Sequence, residues 1–338
     1  MNPSPDFERV LKALLCQKPD RIPLGELIID RSIMEEFIGR SVGARETGED
    51  YDLNAEIDFW FRAGYDYIRI MPRYIFPKKS GRNPTPDEHV GLISSWRDFH
   101  DYPWPTIEDV DFSSLEQAPD LLPPGMGIIT GTSGIFEDAW MIMGFENLCI
   151  SLYDEPDLVK AVFNKVGSLL VEIFRRASNY PRVGALWVSD DLAYTSGPML
   201  DPRFYRSWLF PWYRQMKAIS LQHDMPFILH SDGLLWPIMT DLLDIGFNAL
   251  HPIEPKVMDI SEVKRRIGSR VCLIGNVGLD YPLARGTPDE VDLAVKELIQ
   301  IAAPGGGFCL GSSNTVTNYV PFENYVAMIE ACRKYGNY

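Results

Sequence analysis

Eight short apolar or β-branched runs alternate along this chain with longer segments of helical period, and that alternation restricts the fold more than any other feature. The runs span residues 21–29, 65–71, 126–131, 185–188, 226–230, 248–253, 270–275 and 307–311. The helical segments span 55–63, 138–152, 155–178, 201–223, 234–245, 260–267, 288–302 and 322–334. Strands separated by helices pair in parallel, since each crossover returns the chain to the same end of the sheet. Eight such units close most simply into an α/β fold of the (β/α)8 TIM-barrel type. An open, doubly wound sheet would carry a glycine-rich phosphate turn after its first strand, and residues 24–30 have none. Local signals agree with the helices. Asp201-Pro202 and Thr287-Pro288 each set a capping residue before a first-turn proline, and Gly246 is a helix stop.

A chain of 338 residues, 46% hydrophobic, is long enough for one large core, and barrels of this size are single units. We read residues 1–338 as one domain with a long excursion at 73–125. That stretch holds eight prolines and no long periodic helix. Its aromatics (Tyr74, Phe76, Trp96, Phe99, Tyr102, Trp104) argue for packed structure over the barrel mouth rather than disorder. The net charge of −15, with no basic block, argues against nucleic-acid binding. No stretch has the apolar length of a membrane span, and the first residues lack a signal-peptide pattern. Five scattered cysteines point to a reducing, cytoplasmic setting, with Cys272 and Cys309 buried inside strands.

In a barrel of this kind the active site lies at the C-terminal ends of the strands. Polar residues collect there. Glu137-Asp138 follows the third run, Asp190-Asp191 the fourth, and His230-Ser231-Asp232-Gly233 the fifth. His251 and Glu254 belong to the sixth, Asn276 to the seventh and Asn314 to the eighth. His230 and Asp232 stand two apart and so share a side. The pair suits a divalent cation, or an imidazole oriented for acid–base work, while Asp232 also suits a helix cap. Asp190 and Asp191 fit a cation, a proton or a capping turn equally well, and Glu137 complements a helix N-terminus. Trp140, Trp187, Tyr194 and Trp236 are either walls of an apolar mouth or core. His89, His100 and His223 read as surface residues. The glycine-rich segment 302–311 lacks both dinucleotide and P-loop spacing.

At these residues the chain resembles the uroporphyrinogen decarboxylase superfamily, which also contains cobalamin-dependent methyltransferases. The resemblance is carried by Glu8-Arg9-Val10-Leu11-Lys12-Ala13-Leu14, Lys18-Pro19-Asp20-Arg21-Ile22-Pro23 and Asp190-Asp191-Leu192. It continues through Gly197-Pro198-Met199-Leu200, Phe204 to Pro211-Trp212-Tyr213, Ile274-Gly275-Asn276-Val277 and Pro321-Phe322-Glu323-Asn324. The superfamily's decarboxylases grip substrate carboxylates with an Arg-Gln-Ala-Gly-Arg segment, where this chain has Leu24-Gly25-Glu26-Leu27-Ile28-Ile29-Asp30. Its methyltransferases hold zinc through His-x-Cys and a distal cysteine; here those positions are His230, Asp232 and Asn314. The resemblance thus implies an enzyme of the methyltransferase branch, with an oxygen-rich zinc set of His230, Asp232 and Glu137. Its catalytic residues would be His230, Asp232, Asp190 and Asp191. Glu137, Trp140, Trp187, Tyr194, Trp236, His251, Asn276 and Asn314 would face the substrate. The implied reaction moves a methyl group from a small, methoxylated aromatic compound to a corrinoid (cobalamin) carried by a partner protein. The alternatives are a cofactor-free decarboxylase acting on a tetrapyrrole, and a barrel that only binds such a ring.

Overall fold

The computed structural model describes residues 4–44, 50–78 and 91–338. Seven strands form one curled parallel sheet in chain order. They are β1 (Tyr67–Ile70), β2 (Gly127–Thr132), β3 (Val183–Ser189), β4 (Phe227–His230), β5 (Ala249–His251), β6 (Cys272–Val277) and β7 (Phe308–Ser312). Nearly every strand residue is buried, because helices cover the outer face and strand side chains fill the inner one. Register decides which strand ends become neighbours. Ser189 pairs with His230, and His230 with His251, so three polar residues form one row at the ends of β3, β4 and β5.

The first apolar run is not a strand. Residues 21–29 meet β7 through single parallel bridges, Leu24 with Leu310 and Ile29 with Val316. The Gly25 N–H donates to Leu310 at 2.7 Å and the Leu310 N–H to Pro23 at 2.9 Å. Toward β1 the contacts run through side chains. The Tyr67 hydroxyl donates to the Glu26 carbonyl and accepts the Glu26 N–H, both at 2.9 Å, and Arg69 Nη1 donates to the Leu27 carbonyl. Pro23 has no N–H to give and Glu26 gives its own to Tyr67, so no continuous ladder forms. The segment still fills the gap between the two edge strands. Fully buried Glu26 pins it: Oε1 accepts the Ser312 N–H at 2.6 Å and Oε2 the Ser312 hydroxyl at 2.8 Å. At the opposite end of the sheet, buried Arg9 bridges Asp20 at 2.7 Å and Asp66 at 2.5 Å, which gives the 8–23 motif a structural role.

Three helices expected as single pieces are interrupted. The segment 138–152 divides into Ile135–Met143 and Phe145–Asp154 at Gly144, whose φ of +78° lies in a region that only glycine adopts freely. In 201–223, a π-turn over Tyr205–Leu209 precedes the helix Phe210–Gln222, because Pro211 cannot donate to the preceding turn. Pro237 acts likewise before Met239–Ile245, which stops at Gly246 as expected. The caps at Asp201 and Thr287 form as read.

The described parts of the 73–125 excursion are packed. Phe76, Phe99 and Tyr102 are buried, and Arg73 pairs with Asp111 by backbone and side chain. The Tyr74 hydroxyl meets Ser133 at 2.7 Å, and Lys78 lies 3.3 Å from Asp138, so the excursion is tied to the loop and helix after β2. The stretch also holds the helices Trp96–Asp101 and Ser113–Leu121, which periodicity did not show. No helix among the described residues is long and apolar enough to cross a membrane.

Burial pushes the Glu26 carboxyl up to about 8. A carboxyl raised above its unfolded value stabilises the fold fully below the unfolded pKa, and that stability is lost as pH rises through about 8. Glu26→Gln keeps a neutral acceptor for Ser312, so between pH 5 and 8 (roughly the window from the unfolded value to the folded one) its unfolding midpoint in denaturant should fall less steeply than the parent's. Glu26→Ala strands the Ser312 N–H and should cost about 1–3 kcal/mol at all pH values.

Candidate active site

The ends of β3, β4 and β5 are followed at once by Asp190-Asp191, Ser231-Asp232 and Pro252 to Glu254. Adjacent residues at a strand end point to opposite sides, and Asp190 and Asp191 divide accordingly. Asp190 is wholly buried. Its oxygens accept the Phe136 N–H at 3.0 Å, the Glu137 N–H at 2.9 Å and the Tyr213 hydroxyl at 2.6 Å. It therefore caps the helix Ile135–Met143 and lines none of the cavities at the mouth. Burial pushes its carboxyl up to about 7 against those three bonds. Asp190, expected as a catalytic residue, is placed away from the mouth, where it holds the first turn of that helix, Glu137 included.

Asp191 turns the other way. Its Oδ1 accepts the Asp232 N–H at 2.8 Å and lies 3.5 Å from Nε2 of His230. Gly233 follows at φ +84°, where a Cβ would strike the Ala193 carbonyl, and its N–H donates to Glu254 at 3.0 Å. This turn holds Asp232 beside His230. Ligand atoms of Asp191, His230 and Asp232 lie within 4.8 Å of one another. Asp191 therefore stands where the sequence reading set Glu137; among the described residues Glu137 is not in the trio. Glu137 is nearby and lines the same cavity as Asp191.

A cavity of about 300 Å³ opens among Glu137, Trp140, Phe145, Asp191, Tyr194, Met199, Asp232 and Glu254. A neighbouring one, about 660 Å³, shares Asp232 and Glu254 and extends past Lys256, Tyr281, Asn314 and Tyr319. Asn314 donates to Oδ2 of Asp232, while Oδ1 is buried without a partner among the described residues. Of the expected substrate-facing residues, Glu137, Trp140, Tyr194 and Asn314 line this mouth. The others do not. Trp187 is fully buried in the core, edge-on to His251 at 5.3 Å. Trp236 lies under the Arg266 guanidinium at 3.7 Å. Asn276 spends its amide on the Ile253 carbonyl at 2.8 Å, bracing the turn before Glu254. His251 is buried behind His230. Of the remaining histidines, His100 is exposed, His223 is half-buried at a helix end, and His89 lies outside the described residues.

Glu254, expected at the strand ends with no role assigned, walls both cavities. One buried residue near the site is absent from the sequence analysis. Arg69 is buried at the end of β1 over the Trp187 ring, with Nη2 3.2 Å from Ser189 Oγ. A lone arginine in the apolar run Tyr67-Ile68-Arg69-Ile70 was the available signal.

The electrostatics suppress charge. Burial, then the neighbouring Asp190, Asp191 and Asp138, pushes Glu137 up to about 9. Burial, then Asp191 and Glu254, pushes Asp232 up to about 7. Burial holds His230 down to about 4, with Asp191 opposing and Arg69 assisting. At neutral pH His230 is thus a neutral imidazole, the form that can ligate a cation, Glu137 is a protonated carboxyl that can donate, and Asp232 stands near its midpoint.

The family model described as uroporphyrinogen decarboxylase (URO-D) matches residues 92–335. The methylcobamide:CoM methyltransferase MtaA of Methanosarcina barkeri is 28% identical over 148 residues, 44% of this chain and 41% of that protein. A uroporphyrinogen decarboxylase of Coxiella burnetii is 24% identical over 190 residues, 55% of this chain and 50% of its own length. The chain thus spans about half or less of the curated relatives it matches. A solved methyltransferase from Methanosarcina mazei superposes with a TM-score of 0.72 at 17% identity, covering 96% of this chain and 97% of that one. That likeness is one of fold, and it supports the barrel.

Asp190→Ala should cost at least about 2 kcal/mol in chemical denaturation, since it removes a cap and strands buried donors. Asp191→Ala, on the open side of the same strand end, should cost under about 1 kcal/mol. Equal losses for the two would contradict the division of labour.

Proposed function

The chain belongs to the uroporphyrinogen decarboxylase family, and on that premise we propose that it is a corrinoid-dependent methyltransferase. It would take the methyl group of a small methoxylated aromatic compound and hand it to the cobalt of a corrinoid on a partner protein. The observation that carries this reading is the trio Asp191, His230 and Asp232, of which Asp191 and Asp232 line the cavity while His230 is buried beside them. A methoxyarene is a poor methyl donor until its oxygen is protonated or polarised, and the trio would supply that polarisation.

The residues fit a divalent ion such as zinc. His230 is held neutral, the form that ligates. Its Nε2 lies 3.5 Å from Asp191 Oδ1, too long for a hydrogen bond and close to the spacing of two atoms sharing a cation with bonds of about 2.1 Å. Oδ1 of Asp232 has no other partner among the described residues. When bound there, such an ion supplies Lewis acidity toward the departing oxygen. The protein's own groups do the rest. Glu137 carries a proton at neutral pH and can give it to the aryl-oxide. Trp140, Phe145 and Tyr194 offer an aromatic wall to the ring. The methyltransferase name borne by the Methanosarcina barkeri relative supports this reading.

The same cavity disfavours a polyanionic tetrapyrrole. No lysine or arginine is among its lining residues, so it offers substrate carboxylates no cationic partner. Glu26, standing where the decarboxylases have their arginine segment, is buried against Ser312.

The test combines metal content with single-turnover demethylation of a methoxyphenol by free cobalamin in its cobalt(I) state. His230→Ala should slow methyl transfer by roughly 10²–10⁴-fold and, because it strands the buried His251 Nδ1, lower stability by about 1–3 kcal/mol. Undiminished demethylation by the folded variant would sink the assignment.

A further inference from the structure

Behind His230 stands a second, buried imidazole. His251 is 1% exposed, and its Nδ1 lies 2.8 Å from Nδ1 of His230. The contact follows from register, because the two residues are direct partners on β4 and β5. Its Nε2 is buried with no partner among the described residues, and one edge of the ring faces Trp187. A leucine there would fill space without leaving a polar atom unpaired. The imidazole needs another reason.

Two neutral rings that meet nitrogen to nitrogen hold one hydrogen between them, so the tautomer of one dictates the tautomer of the other. If His251 donates, the hydrogen of His230 sits on Nε2 and blocks the face toward Asp191. If His251 accepts, His230 carries its hydrogen on Nδ1, and its Nε2 lone pair is bare in front of Asp191 and Asp232. Only the second arrangement can ligate a cation.

We infer that His251 is a positioning residue: it accepts the Nδ1–H of His230 and so commits the Nε2 lone pair to the cation site shared with Asp191 and Asp232. The inference rests on the cation reading given above and adds which buried group sets the affinity. His251 touches no substrate, so its removal acts through His230.

The test is Co²⁺ binding to the full chain, followed by visible absorption and by competition with Zn²⁺. His251→Phe, which cannot accept, should weaken Co²⁺ binding by roughly 10–100-fold. His251→Gln, whose carbonyl can accept from Nδ1–H, should recover most of it. Histidine ¹⁵N resonances of the Zn²⁺-loaded parent, which need no variant to fold, should show His251 Nδ1 as an acceptor and Nε2 as protonated. Unchanged Co²⁺ affinity in His251→Phe, or a hydrogen on His251 Nδ1 in the loaded parent, would overturn the inference alone. A parent protein that takes up neither ion would remove the cation reading and this inference together.

Discussion

A parallel sheet has two edges, and the backbone groups along each need partners before the interior can be dry. Here β1 and β7 are those edges, and the segment 21–29 fills the space between them. It does so without becoming a strand. One flank bonds to β7 through a few backbone contacts; the other meets β1 through the Tyr67 hydroxyl and the Arg69 guanidinium. The buried carboxyl of Glu26 fastens the segment to Ser312, at the end of β7. Every strand end that carries a candidate functional group takes its position from this ring.

The mouth repeats one device. Carboxylates accept backbone N–H groups from neighbouring turns, so each loop is positioned by the acid of another. Asp190 receives the helix at Phe136, Asp191 receives Asp232, and Glu254 receives Gly233. Burial, and after it the crowding of acids, raises the pKa of Glu137 and Asp232, whereas burial keeps His230 neutral against the pull of Asp191. Scaffold and candidate chemistry therefore draw on the same groups.

That sharing explains how two consecutive aspartates diverge. Alternation at the end of β3 directs Asp190 toward the helical layer and Asp191 toward the cavity. Once buried, Asp190 has every oxygen engaged and none left for a substrate. The same alternation across β4 puts His230 and Asp232 together, with Ser231 turned away to accept the Leu192 N–H. Identity of side chain supplies the capacity for chemistry, and orientation decides which copy can use it.

The amino-acid sequence by itself determined the alternation of strands and helices, the parallel order, the strand-end location of the polar residues and the pairing of His230 with Asp232. These depend on periodicity and on neighbours within a few residues, which the chain carries locally. Interruptions at Gly144, Pro211 and Pro237 were also visible as residues, though their effect on three helices was not read from them. The tertiary structure alone decided the rest. It separated Asp190 from Asp191, put Asp191 in the place expected of Glu137, buried Trp187 and His251, and made Glu254 a wall of the mouth. It also turned the first apolar run into a closing segment. Each of those outcomes depends on register and on contacts between residues 20 to nearly 300 positions apart, and a periodic pattern holds no information about which distant partner will be met.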